Sequence, residues 1–166
     1  MEYEQFVRER QRALFRFAVV LCGDPVLAEE LVQDVLARAY ERWHLVAAAR
    51  DTNAYVRRML VNEFLSWRRR SRRAAPVAHF ADDALPGAPD HADGRIDRID
   101  LNDRLSALPA KQRAAIVLRY YAGLSFAEVA QNLGCRESSA RSQVTRALAA
   151  LRIQMTTPSP ALDRES

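Results

Sequence analysis

Residues Ser125 to Arg152 read SFAEVAQNLGCRESSARSQVTRALAALR, and this stretch predicts a helix-turn-helix. Ser125 and Glu128 have the Ser-x-x-Glu spacing of a capping box, and Phe126, Val129, Ala130 and Leu133 then mark the face that the first helix buries. Gly134 follows where a helix C-terminus needs a left-handed turn without a Cβ. A second helix runs from about Glu137, with Ala140, Val144, Ala147, Leu148 and Leu151 at helical spacing. Its other faces carry Arg136, Ser138, Ser139, Arg141, Ser142, Gln143, Thr145 and Arg146, groups that donate to phosphates and base edges, opposed by Glu137. An ordinary helical hairpin also has a solvated outer face. Cap, turn glycine and small alanine fall here at the offsets that a DNA-reading pair requires. Arg136 stands where a Ser or Thr cap is expected, which gives up about 1 kcal/mol and offers a phosphate contact instead.

Outside this unit, the composition sets wide bounds. The chain has 166 residues, 49% of them hydrophobic, enough for one domain or two small ones. No run of eighteen apolar residues exists and no signal-peptide pattern opens the chain, so the expected location is the cytoplasm, without membrane insertion. A net charge of +4, supplied by arginine apart from Lys111, permits nucleic-acid binding without requiring it. Cys22 and Cys135 sit among apolar positions in different halves of the chain, which predicts buried free thiols. His44, His79 and His91 are scattered without metal-ligand spacing, and neither a phosphate-cradling glycine loop nor a nucleophile motif is present. The sequence therefore predicts no catalytic residue, metal or cofactor.

The first half reads as a helical module. Tyr3, Phe6, Val7, Leu14, Phe17, Ala18 and Leu21 form one stripe, which Gly23 ends, and Asp24-Pro25 is a strong start for the next helix. That helix predicts burial of Ala28, Leu31, Val32, Val35, Ala39 and Trp43, leaving outside Glu29, Glu30, Gln33 and Asp34 early and Arg38 and Arg42 late. Acid first and base last also suits the helix dipole, so a purely structural explanation stands beside a docking one. Asp51, Thr52 and Asn53 offer caps for a third helical stretch to about Arg73, where Tyr55, Phe64 and Trp67 alternate with Arg57, Arg58, Arg68, Arg69, Arg70, Arg72 and Arg73. Aromatic faces beside guanidinium groups suit unpaired bases, which stack for roughly 1 to 3 kcal/mol each. The structural alternative is aromatic core and solvated arginine; against it, these arginines have no acid nearer than Glu63 and repel one another until an anion arrives.

From Ala74 to about Gly94, prolines, glycines and Asp82, Asp83, Asp90 and Asp93 break the pattern, which predicts a flexible acidic linker. Periodicity resumes with Ile96, Ile99, Leu101, Leu105 and Leu108. Pro109 starts a helix through Ile116, Val117, Leu118, Tyr120 and Tyr121, and Gly123 closes it. The tail from about Thr156 reads as disordered. The predicted fold is all-α: a helical module at 1–73, a linker at 74–94, a second module at 95–155 that contains the helix-turn-helix, and a tail at 156–166.

One reading helix makes two or three base contacts worth about 1 to 3 kcal/mol each, whereas selective binding in a genome takes about 4 to 10 kcal/mol. A second DNA-engaging element is needed, and the arginine and aromatic stretch supplies one in the same chain. The linker of roughly 22 residues reaches about 75 Å at most, so sites about 50 to 70 Å apart on DNA fall within its limit.

Three blocks then carry a family resemblance: Asp24-Pro25-x-x-Ala28-Glu29-Glu30-Leu31-Val32-Gln33-Asp34, Ala54 to Asn62 (AYVRRMLVN), and Leu108-Pro109 to Arg152. Together they resemble bacterial RNA polymerase sigma factors of the extracytoplasmic-function (ECF) group of the sigma-70 family, and the alanine and arginine richness resembles an actinobacterial member. The resemblance implies that the first module is σ2-like, with Glu30, Gln33 and Asp34 at positions that dock on the β′ clamp helices of core RNA polymerase. It implies that Asn62, at a break between two helices, borders the pocket for a flipped −10 base, and that Trp67, Arg68 and Arg69 flank the melted strand. The second module is implied to be σ4-like, meeting the β flap, with Arg136, Glu137, Ser138, Ser139, Arg141 and Ser142 facing the −35 major groove and Arg146 its phosphates. Ser138-Ser139-Ala140 replaces the family's frequent Gly-Thr-Val, which alters the expected −35 sequence. Implied partners are core polymerase, promoter DNA and, as a candidate, an anti-sigma factor. The alternative is a stand-alone helix-turn-helix regulator, since the Leu108 to Arg152 unit also resembles response-regulator DNA-binding domains; such proteins carry an α/β domain upstream, and residues 1–73 show no βα alternation.

Overall fold

The computed structural model describes residues 1–74 and 100–156, with side chains up to Arg152. Every element among them is helical, and the chain divides into two compact units, Met1–Asp103 and Arg104–Ser166. The linker core, Ile96, Ile99 and the tail beyond Thr156 lie outside the described residues.

In the first unit, α1 (Tyr3–Cys22) buries Phe6, Leu14, Phe17, Ala18 and Leu21, and ends where Gly23, at φ 78°, returns its N–H to the Val19 carbonyl. Asp24 then accepts the Val26 N–H at 2.9 Å with Pro25 in the first turn, and α2 (Pro25–Glu41) begins. Its stripe of Leu27, Ala28, Leu31, Val32, Val35, Leu36 and Ala39 meets α1 on one side and α4 on the other. Trp43, predicted within α2, instead opens a separate short helix, α3 (Trp43–Ala48). The chain turns at Arg42 so that the Trp43 ring can reach Tyr3 and Phe6, with centroids 5.4 and 5.3 Å away. Of the three candidate caps for α4 (Thr52–Ala74), Asp51 is the one used: its carboxylate accepts the Ala54 N–H at 2.9 Å. α4 is continuous through Asn62, contrary to the expected break. Val56, Leu60, Val61 and Phe64 keep one buried stripe across that position, and neither proline nor glycine interrupts it.

The helical stretch whose described part is 100–106 (α5) begins in the first unit and ends in the second, where buried Leu105 and Leu108 lead to Pro109, the cap position of α6 (Ala110–Ile116). That helix continues as one π turn, Val117–Tyr121, in which Ala122 donates to the Val117 carbonyl five residues back. The extra residue rotates the end of the helix out of register with Ile116, Val117 and Leu118. Tyr120 and Tyr121, expected with the apolar stripe, are therefore exposed.

α7 (Phe126–Leu133) and α8 (Glu137–Thr156) form the helix-turn-helix. The capping box is present in both directions, and Gly134 is left-handed at φ 64°. α7 packs against α8, with Val129 and Ala130 buried on the first helix and Ala140, Val144 and Ala147 on the second, which also packs against α6. Two expected core positions of α7 differ, and on α8 Leu148 and Leu151 are likewise only half-buried. Phe126 and Leu133 are only half-buried, because the stripe of α7 rotates to put Asn132 inside, where its amide donates to the Glu128 carbonyl at 2.9 Å. The cysteines also differ from expectation. They form no disulfide, but Cys22 is half-buried beside a helix end and Cys135 is exposed in the turn after Gly134.

Candidate nucleic-acid and polymerase interfaces

On α2 the buried stripe fixes which side chains face outward. Glu30, Gln33 and Asp34 are all exposed, and neither Glu30 nor Asp34 has an ion-pair partner among the described residues. Gln33 donates to Glu29 one turn back at 3.3 Å. Beside this acidic ridge, a groove of about 430 Å³ runs between α1 and α2, with Arg8, Arg12 and Phe15 on one wall and Glu29 and Gln33 on the other. The ridge is thus a set of unneutralised carboxylates beside a groove that carries cations and one aromatic ring, and the ridge itself suits a partner with basic groups.

α4 sorts the second group of predicted residues. At 3.6 residues per turn, Asn62, Ser66, Arg69 and Arg73 form one outward row, and Arg69 donates to the Ser66 hydroxyl at 3.0 Å. A groove of about 560 Å³ lies alongside between α2 and α4, with Val35 and Met59 as apolar lining and Asn62, Ser66 and Arg42 as polar lining. Asn62 and Arg69 are therefore brought together. Trp67 and Arg68 are not: each lies more than roughly 100° around the helix from Asn62, and both are half-buried. Burial, then the charge of Arg72, pushes the Arg68 guanidinium below its ordinary range, and its Nε finds no acceptor among the described residues. An arriving anion would relieve that unfavourable charge.

Glu63 is the residue whose role sequence reasoning missed. It is 5% exposed, and its carboxylate receives Arg38 from α2 on one oxygen and Arg70 from two turns along α4 at 3.0 Å on the other. The arginine cluster is thus partly neutralised from within the chain. A signal existed, since Glu63 falls on the Val56, Leu60, Phe64 stripe. Burial alone would raise its pKa, but hydrogen bonds from Arg70 and Arg38, reinforced by their charge, bring the carboxyl below its usual range. A depressed carboxylate contributes stability above its unfolded pKa of about 4.3 and loses it as pH falls through the lower folded value. Glu63→Gln is expected to cost about 1 to 2 kcal/mol at neutral pH, with the two arginines partly solvated, and to flatten the acid limb of stability. Denaturant melts of both forms from neutral pH downward test this; parallel acid limbs would remove Glu63 as the linked group.

On α8, Arg136, Glu137, Ser138, Ser139, Arg141, Ser142 and Arg146 are all exposed: Ser138, Ser139, Arg141, Ser142 and Arg146 lie around the helix from Ala140, Val144 and Ala147, and Arg136 and Glu137 stand at its open N-terminal end. Arg136 occupies the cap position through its backbone: its carbonyl accepts the Ala140 N–H at 3.0 Å. Arg141 reaches back one turn to Glu137 at 2.8 Å, and Ser142 donates to the Ser138 carbonyl at 3.0 Å. These seven exposed polar positions lie in the first half of the second helix of a helix-turn-helix, the element that enters a major groove in this motif.

Such a unit, following an arginine-rich helical module in the same chain, defines a DNA-binding protein of the helix-turn-helix class. Residues 6–74 match the model of Sigma-70 region 2, and residues 98–151 match Sigma-70, region 4. The RNA polymerase sigma-E factor of Streptomyces coelicolor is 38% identical over 170 residues, covering 99% of this chain and 94% of that protein. The ECF RNA polymerase sigma factor SigL of Mycobacterium tuberculosis is 32% identical over 150 residues, 89% of this chain and 85% of its own. The solved structure of the sigma factor RpoE in complex with the anti-sigma factor NepR from Bartonella quintana superposes with a TM-score of 0.75 at 27% identity, covering 95% of this chain and 98% of that one. The chain belongs to the sigma-70 family, as an RNA polymerase sigma factor of the ECF group. It therefore works with RNA polymerase and promoter DNA in transcription initiation, and is not itself an enzyme. The stand-alone regulator is set aside, because a region 2 module accompanies region 4. Among the described residues no helix is long and apolar enough to cross a membrane.

Proposed function

We propose that the chain directs core polymerase to its promoters by dividing the work between its two modules, in the cytoplasm. Residues 1–73 dock through Glu30, Gln33 and Asp34 on the β′ clamp helices and hold the melted −10 strand with Asn62, Trp67, Arg68 and Arg69. Residues 74–94 connect them to 95–155, which meets the β flap and reads the −35 duplex. There Arg136, Glu137, Ser138, Ser139, Arg141 and Ser142 face the major groove, and Arg146 faces its phosphates. Glu137 pairs with Arg141 one turn along, so its part is to orient that guanidinium as well as to meet the groove.

The observation that carries this reading is the division of polar chemistry between the units. Unpaired carboxylates stand on α2, an amide and arginine row borders a groove on α4, and hydroxyl and guanidinium groups face outward on α8. Each surface suits one partner: a protein with basic groups, an unpaired strand and a duplex groove, respectively. An anti-sigma factor that covers these surfaces is a fitting inhibitory partner, in line with the RpoE–NepR complex.

In vitro transcription with core polymerase tests the whole reading. Core supplied with this chain should start at discrete sites on genomic templates sharing a −10 and a −35 element. Starts no more selective than those of core alone would overturn it.

A further inference from the structure

The ring of Phe126 lies within reach of two guanidinium groups that are distant from it in sequence. The Arg119 guanidinium carbon is 4.5 Å from the ring centroid and that of Arg141 is 4.3 Å. Each arginine has a second anchor: Arg119 donates to the Leu124 carbonyl at 2.7 Å, and Arg141 pairs with Glu137 at 2.8 Å. The backbone that carries the ring is fixed, because Phe126 is the first residue of α7 and the capping box sets where that helix begins. Arg141 nonetheless stays 57% exposed at its side chain.

We propose that Phe126 is a positioning residue for promoter selectivity, holding Arg141 ready for the −35 major groove; this rests on the −35 reading above. Stacking engages the face of a guanidinium and leaves its in-plane N–H groups to donate. Glu137 takes one of these through Nη2, and the others remain for a guanine edge. A free arginine must be ordered before it can make such a bidentate contact, and that ordering weakens discrimination. Here the ring and the carboxylate have ordered it in advance. Arg119, on the π turn, takes its place at the same ring, so the π turn and α8 are joined through Phe126. Bringing two cations to one ring also concentrates positive charge beside Arg141, and Glu137 offsets part of it.

The test uses holoenzyme assembled from core polymerase and the full chain, on the −35 sequence it selects from a randomised duplex library and on single-base variants of it. Phe126→Leu keeps the apolar bulk and removes the ring face. It should lower discrimination between the selected and variant sequences about threefold to fivefold, the size of an exposed cation–π contact. Core affinity and the slope of binding against salt should stay unchanged, and Phe126→Tyr should restore discrimination. In the unsubstituted chain, the Arg141 side-chain protons should carry a ring-current shift that Phe126→Leu abolishes. If Phe126→Leu leaves discrimination intact while Arg141→Ala lowers it, the positioning role is overturned and the −35 reading survives. If Arg141→Ala also leaves discrimination intact, both are overturned. Arg141 protons at random-coil positions in the unsubstituted chain overturn the positioning role without need of any variant.

Discussion

Reversing Glu30 and Asp34 together to arginine should weaken binding to core RNA polymerase about a hundredfold, the largest single effect expected of any surface change in this chain. Both carboxylates are exposed on α2, one turn apart, and neither is neutralised by an arginine among the described residues. An unpaired acidic ridge costs little in the free protein and gains when a basic partner docks. Each reversal turns an attraction into a repulsion at the margin of an interface, worth on the order of 1.5 kcal/mol where water still screens it. Two such changes give about 3 kcal/mol, close to two decades in affinity. The fold should be untouched, since the buried stripe of α2 is unchanged. Titration of labelled core with the double variant, without DNA, measures the effect directly; an unaltered affinity would remove the docking assignment while leaving the promoter readings standing.

Loss of the Trp67 ring should produce the second largest effect, a drop of about tenfold to a hundredfold in open complexes. The magnitude comes from the roughly 1 to 3 kcal/mol that one stacked base contributes. Trp67 is half-buried, so Trp67→Ala also disturbs packing on α4, and Trp67→Phe separates the two roles by keeping an aromatic face. Permanganate footprinting of unpaired thymines on duplex promoters should show the loss with alanine and its partial recovery with phenylalanine. Core affinity should be the same for both. Asn62→Ala, at an exposed position beside the groove between α2 and α4, should give a smaller loss of about threefold to tenfold, in keeping with one lost hydrogen bond. Open complexes that form normally with Trp67→Ala would mean that the aromatic serves the core of the module only.

The location of Trp67 and Arg68 away from the Asn62 row has a consequence for any strand held there. Asn62 and Arg69 lie on one side of α4, so a strand that contacted all four residues would have to cross the helix, not run along it. Arg68, half-buried with its Nε lacking an acceptor among the described residues, stands to gain from a phosphate that reaches it. Arg70 gains least, because Glu63 already neutralises it.

What the sequence determined by itself is everything encoded over three or four residues. The Ser125–Glu128 box, the left-handed Gly134 and the Asp24-Pro25 start were legible because each depends only on a hydrogen bond or a dihedral close along the chain, whereas the cap of α4 was narrowed to Asp51, Thr52 and Asn53, of which Asp51 is used. The outward placement of Glu30, Gln33 and Asp34 on α2 and of Ser138, Ser139, Arg141, Ser142 and Arg146 on α8 was legible for the same reason, since helical period alone separates one face from the other. Tertiary structure decided the rest. Glu63 reads as one acid among arginines until α2 brings Arg38 to it across 25 positions of sequence. The single extra residue of the π turn exposes Tyr120 and Tyr121, against their period. Phe126 reads as core, yet packing leaves it half-exposed between α8 and the π turn, where Arg141 and Arg119 meet its ring. Local periodicity states which side of a helix turns inward; which side chains then meet depends on how the helices pack, and no spacing along the chain encodes that.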